Sequence, residues 1–290
     1  MMKNPPKWLL YSIYVLAVVV FFLYYLFPSN KIKNYLTSGV NRFNPNINIS
    51  VDHISPVFPL GLKLYKVNFY QMDSTLLETD QIKVVPSFLS LFRSKIIFFF
   101  KGRAYSGFFE GKGEFVKNRP EQPVVIEGKF SNIHIKEVQA VKQFIGRRLT
   151  GILEGNFTYR NSGKLGETSE VRFIISDGEV ELLQPVFKLE NVSFSKIEAE
   201  MTAGSQRIKI KRCIINATPM DGNVSGLINL RQPLGQSYLR LLSVIKPNQE
   251  FLAELGKDLP TNLLPKEIFS KKVVRIRIYG TLDDPHFFID

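Results

Sequence analysis

The chain is poor in the residues that most often carry chemistry. In 290 residues it has one cysteine, Cys213, one tryptophan, Trp8, and three histidines, His53, His134 and His286. A lone cysteine excludes an internal disulfide, so the fold must be held by burial and backbone pairing alone. The histidines lie far apart, and none stands at ligand spacing from a Cys, Asp or Glu, so no metal site is expected. Cys213 falls in an alternating apolar and polar run, the setting of an inert structural thiol rather than of a nucleophile. No G-x-S-x-G, P-loop, Rossmann or H-E-x-x-H pattern occurs, so neither an enzyme nor a cofactor is expected. Asp283-Asp284, directly before Pro285, reads as a turn.

Negative charge is also scarce. Lys and Arg number 38 against 26 Asp and Glu, a formal net charge of +12. A basic body suits anionic lipid headgroups within a Debye length of about 8–10 Å. It also suits nucleic acid, or a plain solvated surface. The Lys and Arg are dispersed and no nucleic-acid-binding motif accompanies them, so a nucleic-acid partner is not expected.

Apolar residues, by contrast, are abundant. Trp8 to Phe27 is a run of twenty residues without a charge. As a helix it would measure roughly 30 Å, the thickness of a bilayer's hydrocarbon core. Trp8 and Tyr11 stand at one end and Tyr24, Tyr25 and Phe27 at the other, with Lys3, Lys7, Lys31 and Lys33 outside them, as membrane interfaces favour. The exit, Tyr24 to Pro28, is bulky and lacks the small-x-small pattern of a cleaved signal peptide. The run reads as an uncleaved, single-span transmembrane anchor. The flanking charges do not settle its orientation. A short basic N-terminus, one span and a long body form the layout of a signal anchor, which places the body outside the cytoplasm. An anchored body without disulfides suits a bacterial periplasm.

Three segments follow from this reading: residues 1–27 as cytoplasmic tip and anchor, residues 28–46 as an amphipathic connecting helix, and residues 47–290 as a β-rich body. In the connecting helix, Ile32, Tyr35, Leu36, Val40 and Phe43 fall at helical spacing. From Ile47 the period becomes two. Ile47, Ile49 and Val51 alternate with polar residues, as do Leu60, Leu62 and Leu64. The phase then slips to Tyr65, Val67 and Phe69, which suggests a bulge or a strong bend. Further strands are expected over Leu77–Val85, Ile96–Phe100, Val124–Phe130, Ile152–Arg160, Ser169–Ser176, Glu179–Leu183, Phe187–Glu190, Ser195–Thr202, Gln206–Ile215, Gly222–Leu230 and Val273–Leu282. Asp177-Gly178 is the strongest hairpin signal, and Asn118–Pro123 reads as a turn. Helices are expected at Ser87–Phe92, at Lys136–Leu149 with Gly151 past its end, at Ser237–Ile245 and at Asn248–Leu255, with a loop at Leu259–Pro265. Many short strands and few helices predict a mainly β fold with a mostly antiparallel sheet. Gly107-Phe-Phe-Glu-Gly111, Gly151-Ile-Leu-Glu-Gly155 and Gly222-Asn-Val-Ser-Gly226 echo one another and each precedes an alternating strand, a pattern that fits a repeated stacked-strand layout.

Phe98, Phe99, Phe100, Phe108 and Phe109 crowd one region, with Phe88, Leu89, Leu91 and Phe92 just before. An ordinary core accounts for any single one of them. Their surplus on an anchored chain also fits a curved sheet whose concave face stays apolar and takes up acyl chains, an apolar groove lined by those five phenylalanines.

Short motifs in a fixed order carry a family resemblance. The N-terminal span and helix are followed by Val57-Phe-Pro-Leu-Gly-Leu-Lys-Leu64, Thr79-Asp-Gln-Ile-Lys-Val84 and Phe88–Phe92. Gly107-Phe-Phe-Glu-Gly111 and Leu149-Thr-Gly-Ile-Leu-Glu-Gly155 come next, then Asp221 through Leu239, and finally Arg277-Ile-Tyr-Gly-Thr-Leu-Asp-Asp-Pro285. In this order the chain resembles the AsmA-like proteins of Gram-negative bacteria, and more narrowly the type II secretion system protein N group, over nearly its whole length. The resemblance implies a single-pass inner-membrane protein with a periplasmic body and a long, curved, mostly antiparallel sheet. Its implied role is accessory to type II protein secretion, acting by protein or lipid contact. The alternative it implies is a lipid-binding or lipid-transfer protein of the envelope. Membrane, phospholipid and other secretion-system proteins are the partners either role implies. The family supplies no catalytic residues.

Overall fold

The structure is a computed structural model. It describes residues 7–43, 47–58, 60–71, 74–116, 124–161, 166–186, 189–204, 206–218, 220–248 and 273–289. Helix α1 spans Lys7–Tyr25 and α2 spans Ser29–Phe43. Fourteen strands follow among the described residues. β1 is Ile47–Val57, β2 Gly61–Gln71, β3 Ser74–Pro86, β4 Lys95–Ala104, β5 Gly107–Val116, β6 Val124–His134 and β7 Ile152–Asn161. β8 is Glu167–Val186, β9 Leu189–Gly204, β10 Arg207–Ala217, β11 Met220–Asn229, β12 Tyr238–Pro247, β13 Val274–Thr281 and β14 Pro285–Ile289. A 3₁₀ turn at Phe88–Phe92 joins β3 to β4. Another at Ile135–Glu137, then α3 at Gln139–Ile145, join β6 to β7.

All fourteen strands form one sheet in chain order, β1 to β14, each pairing antiparallel with its neighbours. The expectation of a mainly β fold built on an antiparallel sheet is therefore met. At about 4.8 Å between strands, the path from β1 to β14 is roughly 60 Å. The period-two patterns explain why the chain settles this way. In β10, Ile208 and Ile210 go to one face while Arg207 and Lys209 go to the other, and every neighbouring strand repeats the scheme in register.

A crease crosses the first nine strands. At Lys66 the backbone has φ 47°, a conformation L residues seldom adopt. There the apolar face passes from Leu62 and Leu64 to Val67 and Phe69, which is the phase slip read in the sequence. Val51 and Ile54 on β1 make the same switch, and with Leu64 and Val67 they form one buried cluster. Asn132 on β6 (φ 55°) and Asp177 on β8 (φ 50°) repeat the device. Strands β4 to β7 stop at this crease, whereas β1 to β3 and β8 to β9 continue past it. α3 occupies the gap. It touches β3, and its Val141 packs with Leu149 and Leu153 on a second cluster of Ile135, Ile175 and Phe194.

Several local expectations are corrected. α1 ends at Tyr25, two residues short of the apolar run's end, and Phe27 packs with Ile32 and Leu36 of α2 on the first core cluster. Tyr35, placed by spacing on the buried face of α2, is exposed. The helix expected over Lys136–Leu149 is α3 alone. It is closed at Gly146 (φ 67°), whose N–H reaches the Lys142 carbonyl, five residues before Gly151. Asp177-Gly178 makes no hairpin, because β8 runs straight through it, paired to β9 on both sides. Ser237–Ile245 is no helix. From Tyr238 onward its residues form β12, since pairing with β11 and β13 on both edges outweighs the local pattern. The turn at 118–123, the loop at 259–265 and the helix at 248–255 (beyond Asn248) lie outside the described residues.

Among the described residues no helix is long and apolar enough to cross a membrane. α1 reaches about 28 Å at 1.5 Å per residue, and the side chains at positions 9, 16 and 23 along it are outside that description.

Candidate functional site

Register determines which side chains share a face. From Ile96, Phe98 and Phe100 on β4, the cross-strand pairs lead to Phe109 and Phe115 on β5 and to Ile126 and Phe130 on β6. They continue through Phe157 on β7, Phe173 and Ile175 on β8, and Ile197 and Met201 on β9. Beyond these lie Ile208, Ile210 and Ile215 on β10, Val224 and Ile228 on β11, Leu239, Leu241 and Ile245 on β12, Val274, Ile276 and Ile278 on β13, and Phe287 on β14. This face is apolar from one end of the sheet to the other. Where α2 and α3 lie on it, side chains are fully buried and the two core clusters form. Between and beyond those places most of its side chains are only half-buried, and Phe115 and Phe287 are exposed.

Glycines on the same face make room for large neighbours. Phe109 lies over Gly102, Phe100 over Gly111, Phe98 over Gly113, Phe157 over Gly128, Phe130 over Gly155 and Phe194 over Gly178. Each ring occupies the space where a β-carbon would stand, as when aromatic side chains cover cross-strand glycines. The echoed glycine motifs acquire a physical meaning here. Gly111, Gly155 and Gly226, the closing residues of the three copies, sit beneath Phe100, Phe130 and Leu241 respectively.

The five phenylalanines proposed as one groove do not share a face. Phe98, Phe100 and Phe109 lie on the apolar side. Phe99 and Phe108 point to the opposite side, where they are 51% and 46% exposed. Consecutive residues of a strand alternate faces, so the run Phe98–Phe100 had to divide. Reading composition without register merged the two sides, and it missed the continuation of the apolar face through β10 to β14. The signal for that continuation was present in the isoleucine and leucine alternation of those strands.

The opposite side is charged. Lys95 pairs with Glu114, Lys112 with Glu127 at 3.2 Å, and Glu110 with both Lys129 at 2.8 Å and Lys101 at 3.4 Å. Glu200 bridges Lys211 and Arg172 at 3.0 and 3.3 Å, and Glu198 bridges Lys196 and Arg212 at 3.0 and 3.1 Å. A hydrogen bond from Lys129, then one from Lys101, holds the Glu110 carboxyl below the usual carboxylate range. Lys196 and Lys211 do the same, ahead of their arginine partners, for Glu198 and Glu200. These pairs are exposed and, apart from Lys196–Glu198 within β9, cross-strand, so they set register and solubility more than stability. A shallow groove of about 610 Å³ lies on this side, between Lys83, Lys101, Lys112 and Lys129, with Phe99, Gly111 and Gly128 in its floor.

Cysteine and histidine are few on and beside the two faces among the described residues. Cys213 lies on the apolar side, paired across to Ala199 and Val224, and burial pushes its thiol pKa up, away from nucleophilic behaviour. His134 lies 3.7 Å from Glu137, whose carboxylate also accepts from the exposed Ser106 hydroxyl at 3.1 Å, and His286 lies 3.7 Å from Asp284, beside the Tyr279 ring. Among the described residues no group of three or more His, Cys, Asp or Glu is placed to hold a metal ion. In α1, Trp8, Tyr11 and Tyr25 are exposed and Tyr24 is half-buried.

Comparison with protein-family models, with curated proteins and with solved structures finds no match to this chain.

Proposed function

We propose that this protein is tethered to a membrane through α1 and accommodates lipid acyl chains along the uncovered apolar face of its sheet. The observation that carries the reading is a face apolar over fourteen strands on which, among the described residues, the two packed clusters lie at α2 and α3 and most other side chains are only half-buried. Side chains such as Phe98, Phe157, Ile210 and Ile278 are too numerous and too contiguous for scattered surface apolar residues, and such patches mark binding surfaces. The half-buried state of an unlayered face supports a bent sheet whose apolar side is the inner one. Tethering is supported by Leu10, Ile13, Tyr14, Val15, Val19, Phe21 and Phe22, which are exposed around most of α1's circumference. A helix apolar on so many sides, with no protein against them, finds burial in lipid. The reading gives the chain no bond-making chemistry.

Lipid carriage is tested by mass spectrometry of the purified full chain and its variants. Ile278→Asp, which puts a carboxylate on the apolar face, reduces co-purified phospholipid. Leu242→Asp, on the charged side of the adjacent strand, leaves it unchanged. Equal lipid content in both variants, or none in the wild type, refutes carriage.

A second reading is supported by the ordered motifs running from Val57 to Pro285. It makes the chain an accessory component of a type II secretion system in a Gram-negative inner membrane, with the sheet in the periplasm and contacting other envelope proteins. Recovery of secretion-system proteins with the native chain in mild detergent tests it, and their absence counts against it.

A further inference from the structure

One end of the sheet carries a cluster of exposed large apolar side chains that the apolar face does not explain. Phe58 and Leu60, in the β1–β2 turn, are 72% and 50% exposed. Phe88, Leu89 and Phe92, in the 3₁₀ turn between β3 and β4, are 60%, 69% and 79% exposed. The two turns are neighbours. Gly61, which opens β2, lies against Val85, two residues before the turn begins at Ser87, and Leu62 pairs with Val84.

Their exposure is fixed by local bonding. The Ser90 hydroxyl is buried and donates to the carbonyls of Ser87 and Ile97 at 2.7 and 3.2 Å, while the Ile97 N–H donates back to it at 3.1 Å. The Ser87 N–H reaches the Ile97 carbonyl at 2.8 Å. Ser90 therefore pins the turn inward against β4, which leaves Phe88, Leu89 and Phe92 directed outward. The Phe88 and Phe92 rings meet edge to face at 5.4 Å. Exposed Arg93 and Lys95 follow directly.

Chain direction places this cluster beside the tether. α2 runs from Ser29 to Phe43, and β1, from Ile47 to Val57, packs alongside it and returns toward its start. The far end of β1, where Phe58 and Leu60 stand, is thus level with the start of α2 and the end of α1. Phe27, between the two helices, packs in the same cluster as Leu62 and Val84.

Resting on the reading of α1 as a tether, we infer that Phe58, Leu60, Phe88, Leu89 and Phe92 form a second membrane contact, dipping into the interface of the bilayer that holds α1. Arg93, Lys95 and Lys31 then lie at the level of anionic headgroups. Amphipathic rims of this composition seat at the boundary between headgroups and acyl chains. Two contacts, one helix and one rim, fix the angle at which the sheet leaves the membrane, which a single tether does not.

Tryptophan fluorescence tests this in the full chain, reconstituted into phosphatidylethanolamine–phosphatidylglycerol vesicles. Trp8 is the sole tryptophan, so wild-type emission reports the tether. In a Trp8→Phe background, Phe92→Trp and, separately, Leu89→Trp report the rim, and Phe288→Trp reports the charged side of the last strand. The expected result is a blue shift and loss of emission for the two rim reporters on lipid brominated high in the acyl chain, weaker loss with bromine placed deeper, and no loss for Phe288→Trp. Quenching of Trp8 with unquenched rim reporters overturns the rim and keeps the tether. No quenching of either overturns both. Rim reporters shielded from acrylamide yet untouched by bromolipid would assign the surface to a protein partner, and that also overturns the inference.

Discussion

The ring of Phe98 on β4 fills the space that a β-carbon on Gly113, its registered partner on β5, would need. Gly113 is buried and its backbone is extended, so conformation does not demand a glycine there; the neighbouring ring does. Gly113→Ala therefore destabilises the protein by about 1–3 kcal/mol, the usual cost of overpacking a filled site. Phe98→Leu in the same chain recovers part of that loss. Denaturant titration of the two single variants and the double variant measures the coupling, and strict additivity would separate the two residues.

Lys66 supplies a different kind of strain. With φ at 47° and its side chain exposed, it carries a left-handed backbone cost of about 1–2 kcal/mol with little packing to lose. Lys66→Gly removes that cost and gives part back as unfolded-chain entropy, so stability stays level or rises by less than about 1 kcal/mol. Lys66→Val, β-branched at the same φ, lowers it by about 1–3 kcal/mol. Thermal melting of both variants checks the order.

Acid acts through the charged side. Glu110, Glu198 and Glu200 are held below the usual carboxylate value of 4.5 by paired cations. A lowered folded-state pKa contributes stability that is complete above the unfolded value and is lost as pH falls through the folded one. Stability measured from pH 7 downward stays flat with respect to these groups until about the unfolded value, then declines. Glu110→Gln and Glu200→Gln flatten the decline, and added salt shrinks it because the pairs are exposed.

Cys213 reports on the other side. Its thiol is pushed up by burial and faces the apolar surface. Maleimide modification at pH 7 is slower than for a free cysteine, and it slows further when phospholipid is bound. Mass spectrometry of the labelled chain follows both rates. Labelling as fast as in the unfolded chain would place Cys213 elsewhere.

Much of this architecture was legible from the residues. Period-two alternation in Ile208–Ile210 and Val274–Ile278 marks strands whatever surrounds them, because a pleated backbone sends successive side chains to opposite faces. The slip between Leu64 and Val67 marked the crease for the same reason. Composition alone determined that no disulfide holds the fold, that the chain is basic, and that its first thirty residues contain an uncharged apolar run. Tertiary structure decided the rest. Pairing on both edges turned Tyr238–Ile245 into strand β12 and carried β8 through Asp177-Gly178, since ladder bonds to two neighbours outweigh a local turn preference. Register separated Phe98, Phe100 and Phe109 from Phe99 and Phe108, and it set each ring above a glycine on another strand. Such partners are distant along the chain and adjacent only once the sheet has formed, so no local pattern announces them.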